Sequence, residues 1–408
     1  MQPPANLIVQ PLPTGGFKFR VILIFDMNSF FASVELRDYL RDNKVDLRGK
    51  PVIIGKLRRR KVVSTATPEA RAFGVKKGMP TLEAQELCQK YRPDTVWLPA
   101  RNVAYEEESD EIIKLVKDEL AAMGFSPTMQ TVGKDEAYLD LTPYCQGANA
   151  DDSLNLARPV AERLKARIFK ERQLHCKIGI ASNKFLAKVA TDQSAPDGIN
   201  IIYDKDWDKI LPPLDVNEIP DVGEATEEKL KARTPPFNTI ADIRKTPPGF
   251  DFKPFVGKQK FLAPILRDLA FGKDVRPVKP NKPRNSFSRT ETFEYDTADM
   301  NIITAVIFEF ANELSLRLKK IGVVAKTVKI EYVYPNGDYE DWPHIPKQKS
   351  LDRKFDDVGT IVSTVTTLMQ TNNALVTEKG EEQVIYSLGI MVENLSPASN
   401  QTLPLFNS

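Results

Sequence analysis

Three carboxylates, Asp26, Asp135 and Glu136, stand where catalytic acids tend to stand, at the ends of strands. Asp26 follows the apolar run FKFRVILIF (Phe17–Phe25) and opens a helical stretch. Asp135 and Glu136 interrupt the otherwise apolar TVGKDEAYLDLT (Thr131–Thr142), more than a hundred residues later. Burying such charges uncompensated costs several kcal/mol each. A hard dication is the natural compensation, because Mg²⁺ takes carboxylate oxygens, water and phosphate oxygens. Other chemistry is scarce. The 408 residues contain two histidines, His175 and His344, and three scattered cysteines, Cys88, Cys145 and Cys176, with no C-x-x-C. A zinc site, a disulfide framework and histidine-based nucleophilic catalysis are therefore not expected. Taken singly, the acids have plainer readings. Asp26 reads first as a helix N-cap, and the Asp-Glu pair equally as a solvated strand edge.

The elements that must position these acids follow from periodicity and punctuation. After a Pro/Gly-rich leader (1–16), the Phe17–Phe25 strand leads into the helix NSFFASVELRDYL. A buried strand PVIIG (Pro51–Gly55) runs into the basic LRRRK, with a further strand at Val62–Val63. Glu106–Ala122 keeps a helical period stopped by Gly124, and Thr131–Thr142 reads as a strand or hairpin. One helix is expected over Ser153–Glu171, then a strand at HCKIGIAS and a helix at NKFLAKVATDQ. Residues 203–270, broken by LPPLD, TPPF and TPPGF, suit a small helical module. The order β-α-β-β-α-β closes the chain, with strands at Asn285–Tyr295, Ala325–Pro335, Lys347–Phe355 and Val384–Leu395 and helices at Asn301–Ile321 and Gly359–Met369.

The charge totals of 57 Lys+Arg and 55 Asp+Glu conceal a segregated distribution. Between Lys253 and Arg289 ten basic residues face two acids, Asp268 and Asp274. Such a stretch is either a footprint for a polyanion or a solvated linker. A mean hydropathy of −0.33 and the lack of any apolar run of about 18 residues exclude a membrane-spanning helix. MQPPANLIVQPLPTGG has neither the basic start nor the apolar core of a secretory signal.

Four blocks carry a resemblance. DMNSFFASVE (Asp26–Glu35), TPEARAFGVKKGMP (Thr67–Pro80), KDEAYLDLT (Lys134–Thr142) and KIGIASNKFLAKVATD (Lys177–Asp192) resemble, in order and spacing, the Y-family translesion DNA polymerases, with the DNA polymerase IV and UmuC-like branches most similar. The resemblance covers residues 17–395 and implies an α+β right-hand polymerase. Its ferredoxin-like palm would be 17–30 and 98–202, its small fingers 31–97 and its helical thumb 203–270. A basic linker (271–283) would lead to a little finger at 284–395, and 396–408 would be a tail.

By motif, Asp26, Asp135 and Glu136, with the Met27 carbonyl, would hold two Mg²⁺ ions for template-directed transfer from a dNTP to a primer 3′-hydroxyl. Because Asp135 and Glu136 are neighbours and strand neighbours alternate faces, they can cooperate only at a bend or strand end. Phe31 matches the steric gate that excludes a ribose 2′-hydroxyl, and Thr65, Arg71 and Lys188 match triphosphate contacts. Val222 and Gly223 in IPDVGEATEEKL resemble a helix-hairpin-helix that binds a DNA phosphate. Arg284, Ser286, Ser288 and Arg289 in PRNSFSRTETF resemble the strand that lies along the template backbone. DNA binding should then be insensitive to sequence and fall with salt. QTLPLF resembles the peptide that bacterial polymerases insert into the sliding clamp, through Gln401, Leu403, Leu405 and Phe406. A cytoplasmic monomer that binds primer-template DNA, dNTP and the clamp, and no membrane, is expected. No segment is left for a proofreading exonuclease, so low fidelity is expected as well.

The chain departs from the family pattern in several places. Gly133-Lys134 replaces the usual Ser-Ile/Val before Asp135, Pro68 stands where a Tyr is frequent, and Ala195 stands where a Lys commonly precedes Pro196. Asp221 replaces a hairpin Gly, and the tail Gln lies one residue early. These changes keep a second reading open: a polymerase-shaped DNA- and clamp-binding protein with weak or no catalysis.

Overall fold

Ile22 and Ile24 alternate with Leu23 and Phe25, and all four are buried, so β1 (Ile22–Met27) is covered on both faces and reads as an unbroken apolar run. In the computed structural model, which describes residues 18–335, 343–376 and 380–398, β1 starts later than its apolar run and extends through Asp26 to Met27. The next helix, α1 (Phe30–Asn43), has Ser29 as its N-cap. Asp26 is therefore not the cap of that helix, and the plainer reading of this acid falls.

The chain continues through β2 (Val52–Ile54), β3 (Thr65–Ala66), α2 (Pro68–Arg71), α3 (Thr81–Tyr91) and β4 (Val96–Leu98). Val62, expected in a strand, makes only an isolated bridge to Pro80. Then come α4 (Asn102–Ala122), the hairpin β5 (Thr128–Val132) and β6 (Glu136–Asp140), α5 (Ala150–Leu156) and α6 (Arg158–Arg172). The single helix expected over 153–171 is two, because Pro159 has no N–H to continue a helix and sits instead in the first turn of a new one. β7 (Cys176–Ala181), α7 (Lys184–Asp192) and β8 (Ile199–Ile201) follow. Short helices α8 (Trp207–Ile210), α9 (Glu224–Lys231), α10 (Ile240–Arg244) and α11 (Leu266–Ala270) form the expected helical module. The chain then runs through β9 (Ser286–Thr297), α12 (Met300–Lys320), β10 (Val323–Val333), β11 (His344–Phe355), α13 (Val358–Thr371), β12 (Ile385–Glu393) and β13 (Ser396–Pro397).

Two units result. The first comprises the described residues up to Val52 together with Pro99–Asn281. Its sheet has the order β5-β6-β1-β7-β8, antiparallel except for the β7–β8 pair. β1, α4, β5, β6, α6 and β7 spell β-α-β-β-α-β, with β6 between β1 and β5, the ferredoxin-like arrangement. Ile22, Ile24 and α7 share one apolar core with Leu211, Ile240, Leu266 and other residues of the helical module. The basic stretch after α11 is strapped to the sheet. Arg20 donates to the carbonyls of Asp274 and Arg276, and Asn281 exchanges hydrogen bonds with the backbone of Thr131.

The second unit comprises Ile53–Leu98 and the described residues from Lys282 on. It holds a small sheet, β3-β2-β4, and a four-stranded antiparallel sheet of order β11-β10-β12-β9. In the latter β9 and β10 flank β12, and β11 and β12 flank β10, so each β-α-β is split by a strand of the other. Phe287, Phe293, Leu314, Ile330 and Val365 contribute to its core. Within this unit two of the four cations of LRRRK are paired: Arg60 with Asp296 at 2.7 Å and Lys61 with Glu291 at 2.9 Å.

Candidate active site

Asp26 and Glu136 are cross-strand partners on β1 and β6. Period-two alternation puts both on the face that carries Ile22, Ile24 and Tyr138. α7 packs on that same face, and it passes very close to Gly179 of β7. A Cβ there would lie 2.1 Å from the Ala187 carbonyl oxygen, so the contact requires glycine. This approach delivers Lys188, the next residue of α7, to the acids. Its Nζ donates to Asp26 Oδ2 at 3.0 Å and to Glu136 Oε2 at 2.8 Å, and lies 3.2 Å from Asp192 Oδ1 one turn on.

The structure thus brings Asp26 and Glu136 together; Asp135 stands one residue before Glu136, in the hairpin turn, where its charge acts on Glu136. Gly133, Lys134 and Asp135 form the turn and Glu136 is the first residue of β6, so the two adjacent acids lie at a strand end. Gly133 has φ +69°, and its missing Cβ would sit 3.3 Å from Asp135 Oδ1. The Asp135 carbonyl accepts the Met27 N–H at 2.9 Å, tying the turn to the end of β1.

One ammonium thus serves a group of carboxylates. Burial raises the Glu136 carboxyl above the ordinary glutamate value; Lys188 works against this, while the charges of Asp26 and Asp135 add to it. Burial alone would lower Lys188, but Asp26 and Glu136 outweigh it and hold the ammonium well above its usual value. Among the described residues no three His, Cys, Asp or Glu side chains are drawn together tightly enough to share one metal ion. The donor chemistry nevertheless fits a hard dication. Two carboxylates already grip one cationic centre, and Asn28 Oδ1, next to Met27, is a buried acceptor without a described donor.

Replacing Lys188 by Met is accordingly expected to destabilise the metal-free protein by about 2 kcal/mol, or about 4–8 °C in Tm. Mg²⁺ should restore much of the loss. Thermal melts with and without Mg²⁺ that show the same deficit would mean that the acids do not form a common cation site.

Phe31 lies at the start of α1, half-buried, whereas its neighbour Phe30 is fully packed. The core role therefore belongs to Phe30. The Phe31 ring stacks on Tyr105 of α4, with centroids 4.3 Å apart and planes 12° from parallel. Tyr105 donates to Glu35 Oε1 at 2.6 Å, and Arg101 binds both Glu35 and Asp38 at 2.8 Å. Sequence reasoning missed this support. Its signal was an aromatic at an inward position of the Glu-rich α4, one heptad before Ile112.

The impB/mucB/samB family model matches residues 25–192, and the model of that family's C-terminal domain matches residues 284–405. The chain is 30% identical to a DNA polymerase IV of Dehalococcoides mccartyi (strain CBDB1), over 94% of this chain and 89% of the relative. It is also 30% identical to a DNA polymerase IV of Legionella pneumophila (strain Philadelphia 1), over 95% and 99%. A solved Y-family DNA polymerase chimera of Dbh and Dpo4 superposes with a TM-score of 0.68 at 25% identity, covering 92% of this chain and 98% of the other. The DinB structure from Sulfolobus solfataricus gives 0.57 at 25% identity with the same coverage. The chain belongs to the Y family of DNA polymerases. It has the family's palm, fingers, thumb and little finger, and it is a DNA-directed DNA polymerase.

The polymerase's other expected contact residues are scattered over both units. Thr65 opens β3, and Arg71 ends α2 with its Nε on the Ala66 carbonyl at 2.9 Å. Pro68, one of the departures, is the first residue of α2, where a missing N–H costs nothing. In the hairpin before α9, Val222 is buried and Gly223 is the N-cap. Asp221 adopts the left-handed φ of +75° that a glycine would supply, and Arg276 approaches its carboxylate at 3.5 Å, offsetting the added negative charge. On β9 alternation divides the candidates. Ser286 and Ser288 lie on one face. Arg289 lies on the face of Phe287, where it pairs with Glu313 of α12 at 2.5 Å. Arg284 precedes the strand with its guanidinium over the Phe287 ring. Gln401, Leu403, Leu405 and Phe406 fall outside the described residues, as does the leader.

Proposed function

We propose that this polymerase performs translesion synthesis, copying template past damaged bases with low fidelity. The observation that carries this reading is the convergence of Asp26 and Glu136 on one cationic centre beside the Asp135 turn. Asp26, Asp135, Glu136 and the Met27 carbonyl would hold two Mg²⁺ ions, which when bound lower the pKa of the primer 3′-hydroxyl and neutralise charge on the departing pyrophosphate. The protein's own part is to orient. The rigid β1–β6 register fixes the acids, and Phe31, braced by Tyr105, stands against the sugar. Thr65, Arg71 and Lys188 are assigned to the triphosphate, Val222, Gly223, Arg284, Ser286, Ser288 and Arg289 to DNA, and the Gln401–Phe406 peptide to a sliding clamp. The palm would comprise 17–30 and 98–202, the fingers 31–97, the thumb 203–270 and the little finger 284–395. No helix among the described residues is long and apolar enough to cross a membrane, and work in the cytoplasm is part of this reading.

Single-nucleotide primer extension with Mg²⁺, opposite intact and damaged template bases, tests the proposal. Incorporation opposite both, with frequent mispairs, is expected. Tight DNA binding without incorporation would favour the non-catalytic reading instead.

A further inference from the structure

Lys134 has no part in the function described so far. It sits between the turn glycine Gly133 and the acid Asp135, where the family usually has an apolar residue. Its Nζ lies 3.1 Å from Glu106 Oε1 and 5.8 Å from the centroid of the Phe31 ring. Glu106 adjoins Tyr105 on α4, the residue whose ring stacks on Phe31. Two consecutive residues of one helix therefore act on the same ring. Tyr105 touches it directly, and Glu106 holds the ammonium that touches it. The Lys134 side chain is 31% exposed and the Glu106 side chain 16%. A cation held over an aromatic face in such a half-desolvated setting attracts the ring's electron-rich face and limits its swing.

We propose that Lys134 is a positioning residue for sugar selection. Braced by Glu106, its ammonium holds the Phe31 ring at the height where the ring meets the 2′ position of an incoming nucleotide. Because Lys134 shares the hairpin turn with Asp135, it also keeps the spacing between that ring and the acids constant. The inference rests on Phe31 acting as the gate, so the experiment must separate the two ideas.

The test compares wild type with Lys134→Met, Lys134→Arg, Glu106→Gln and Phe31→Ala. One readout is the ratio of kcat/KM for ribo- over deoxynucleotide in single-nucleotide extension. The other is the Kd of each triphosphate in a ternary complex with a chain-terminated primer. Lys134→Met is expected to raise the ribo/deoxy ratio about two- to fivefold, the range a contact of this kind supports. Glu106→Gln should move it the same way by less, and Lys134→Arg should return it to the wild-type value. A wild-type ratio in Lys134→Met beside a raised ratio in Phe31→Ala overturns the proposal and leaves the gate standing. A raised ratio that arginine does not restore also overturns it, because the hold would not depend on the cation. If Phe31→Ala itself leaves the ratio unchanged, the gate assignment fails and the proposal fails with it.

Discussion

Glu136→Ala and Asp135→Ala are each expected to slow primer extension at least about a thousandfold, while affinity for primer-template DNA stays within about twofold. The rate falls because phosphoryl transfer leaves little for a protein to do except position and neutralise charge, and Glu136 faces Asp26 at the β1–β6 strand end with Asp135 in the adjoining turn. Affinity survives because a carboxylate repels phosphates, so losing one removes no favourable contact with DNA. The fold should survive as well. Without Glu136, Lys188 keeps Asp26 and Asp192 as partners. Without Asp135, the backbone bond from Met27 to residue 135 persists, because it uses the carbonyl rather than the side chain. Single-turnover extension and anisotropy titration with labelled DNA read the two quantities. Undiminished synthesis in both variants would show that the metal site lies elsewhere.

Phe31→Ala is expected to raise ribonucleotide incorporation about ten- to a hundredfold relative to deoxynucleotide, the range of one to three kcal/mol for removing a steric overlap in a packed site. The size of the effect depends on how firmly the ring is held. Stacked at 4.3 Å on Tyr105, whose hydroxyl is anchored on Glu35, the ring loses that stacking if it swings aside. A soft gate would yield to a hydroxyl by rotating; a braced one clashes. Measuring kcat/KM for paired ribo- and deoxynucleotides decides the matter, and unchanged sugar selection in Phe31→Ala would withdraw the assignment.

Much of the fold was legible because it is written in short-range terms. Both-face burial made β1 readable as an apolar run, Gly133 marked the hairpin, and the β-α-β-β-α-β order of residues 286–393 followed from alternation and helical period alone. The misreadings were local as well. The helix expected across 153–171 restarts around Pro159, and Val62 pairs with Pro80 outside any strand. Lys188 is a different case. Nothing in NKFLAKVATD distinguishes a solvated helix lysine from one buried among acids. The distinction comes from Gly179, on another element, which lets α7 settle close enough to the sheet.

From the order of residues alone came the candidate acids, the scarcity of histidine and cysteine, and the placing of Asp135 and Glu136 beside a turn. Those are properties of side-chain chemistry and of neighbours along the chain. Tertiary structure decided what lies across space: that Asp26 faces Glu136 on adjacent strands, that Lys188 bridges both, that Arg276 offsets Asp221, and that Tyr105 and Lys134 bear on Phe31. Charges and rings act over a few ångströms regardless of how many residues separate them. Which of them meet is therefore set by strand register and helix packing rather than by spacing in the sequence.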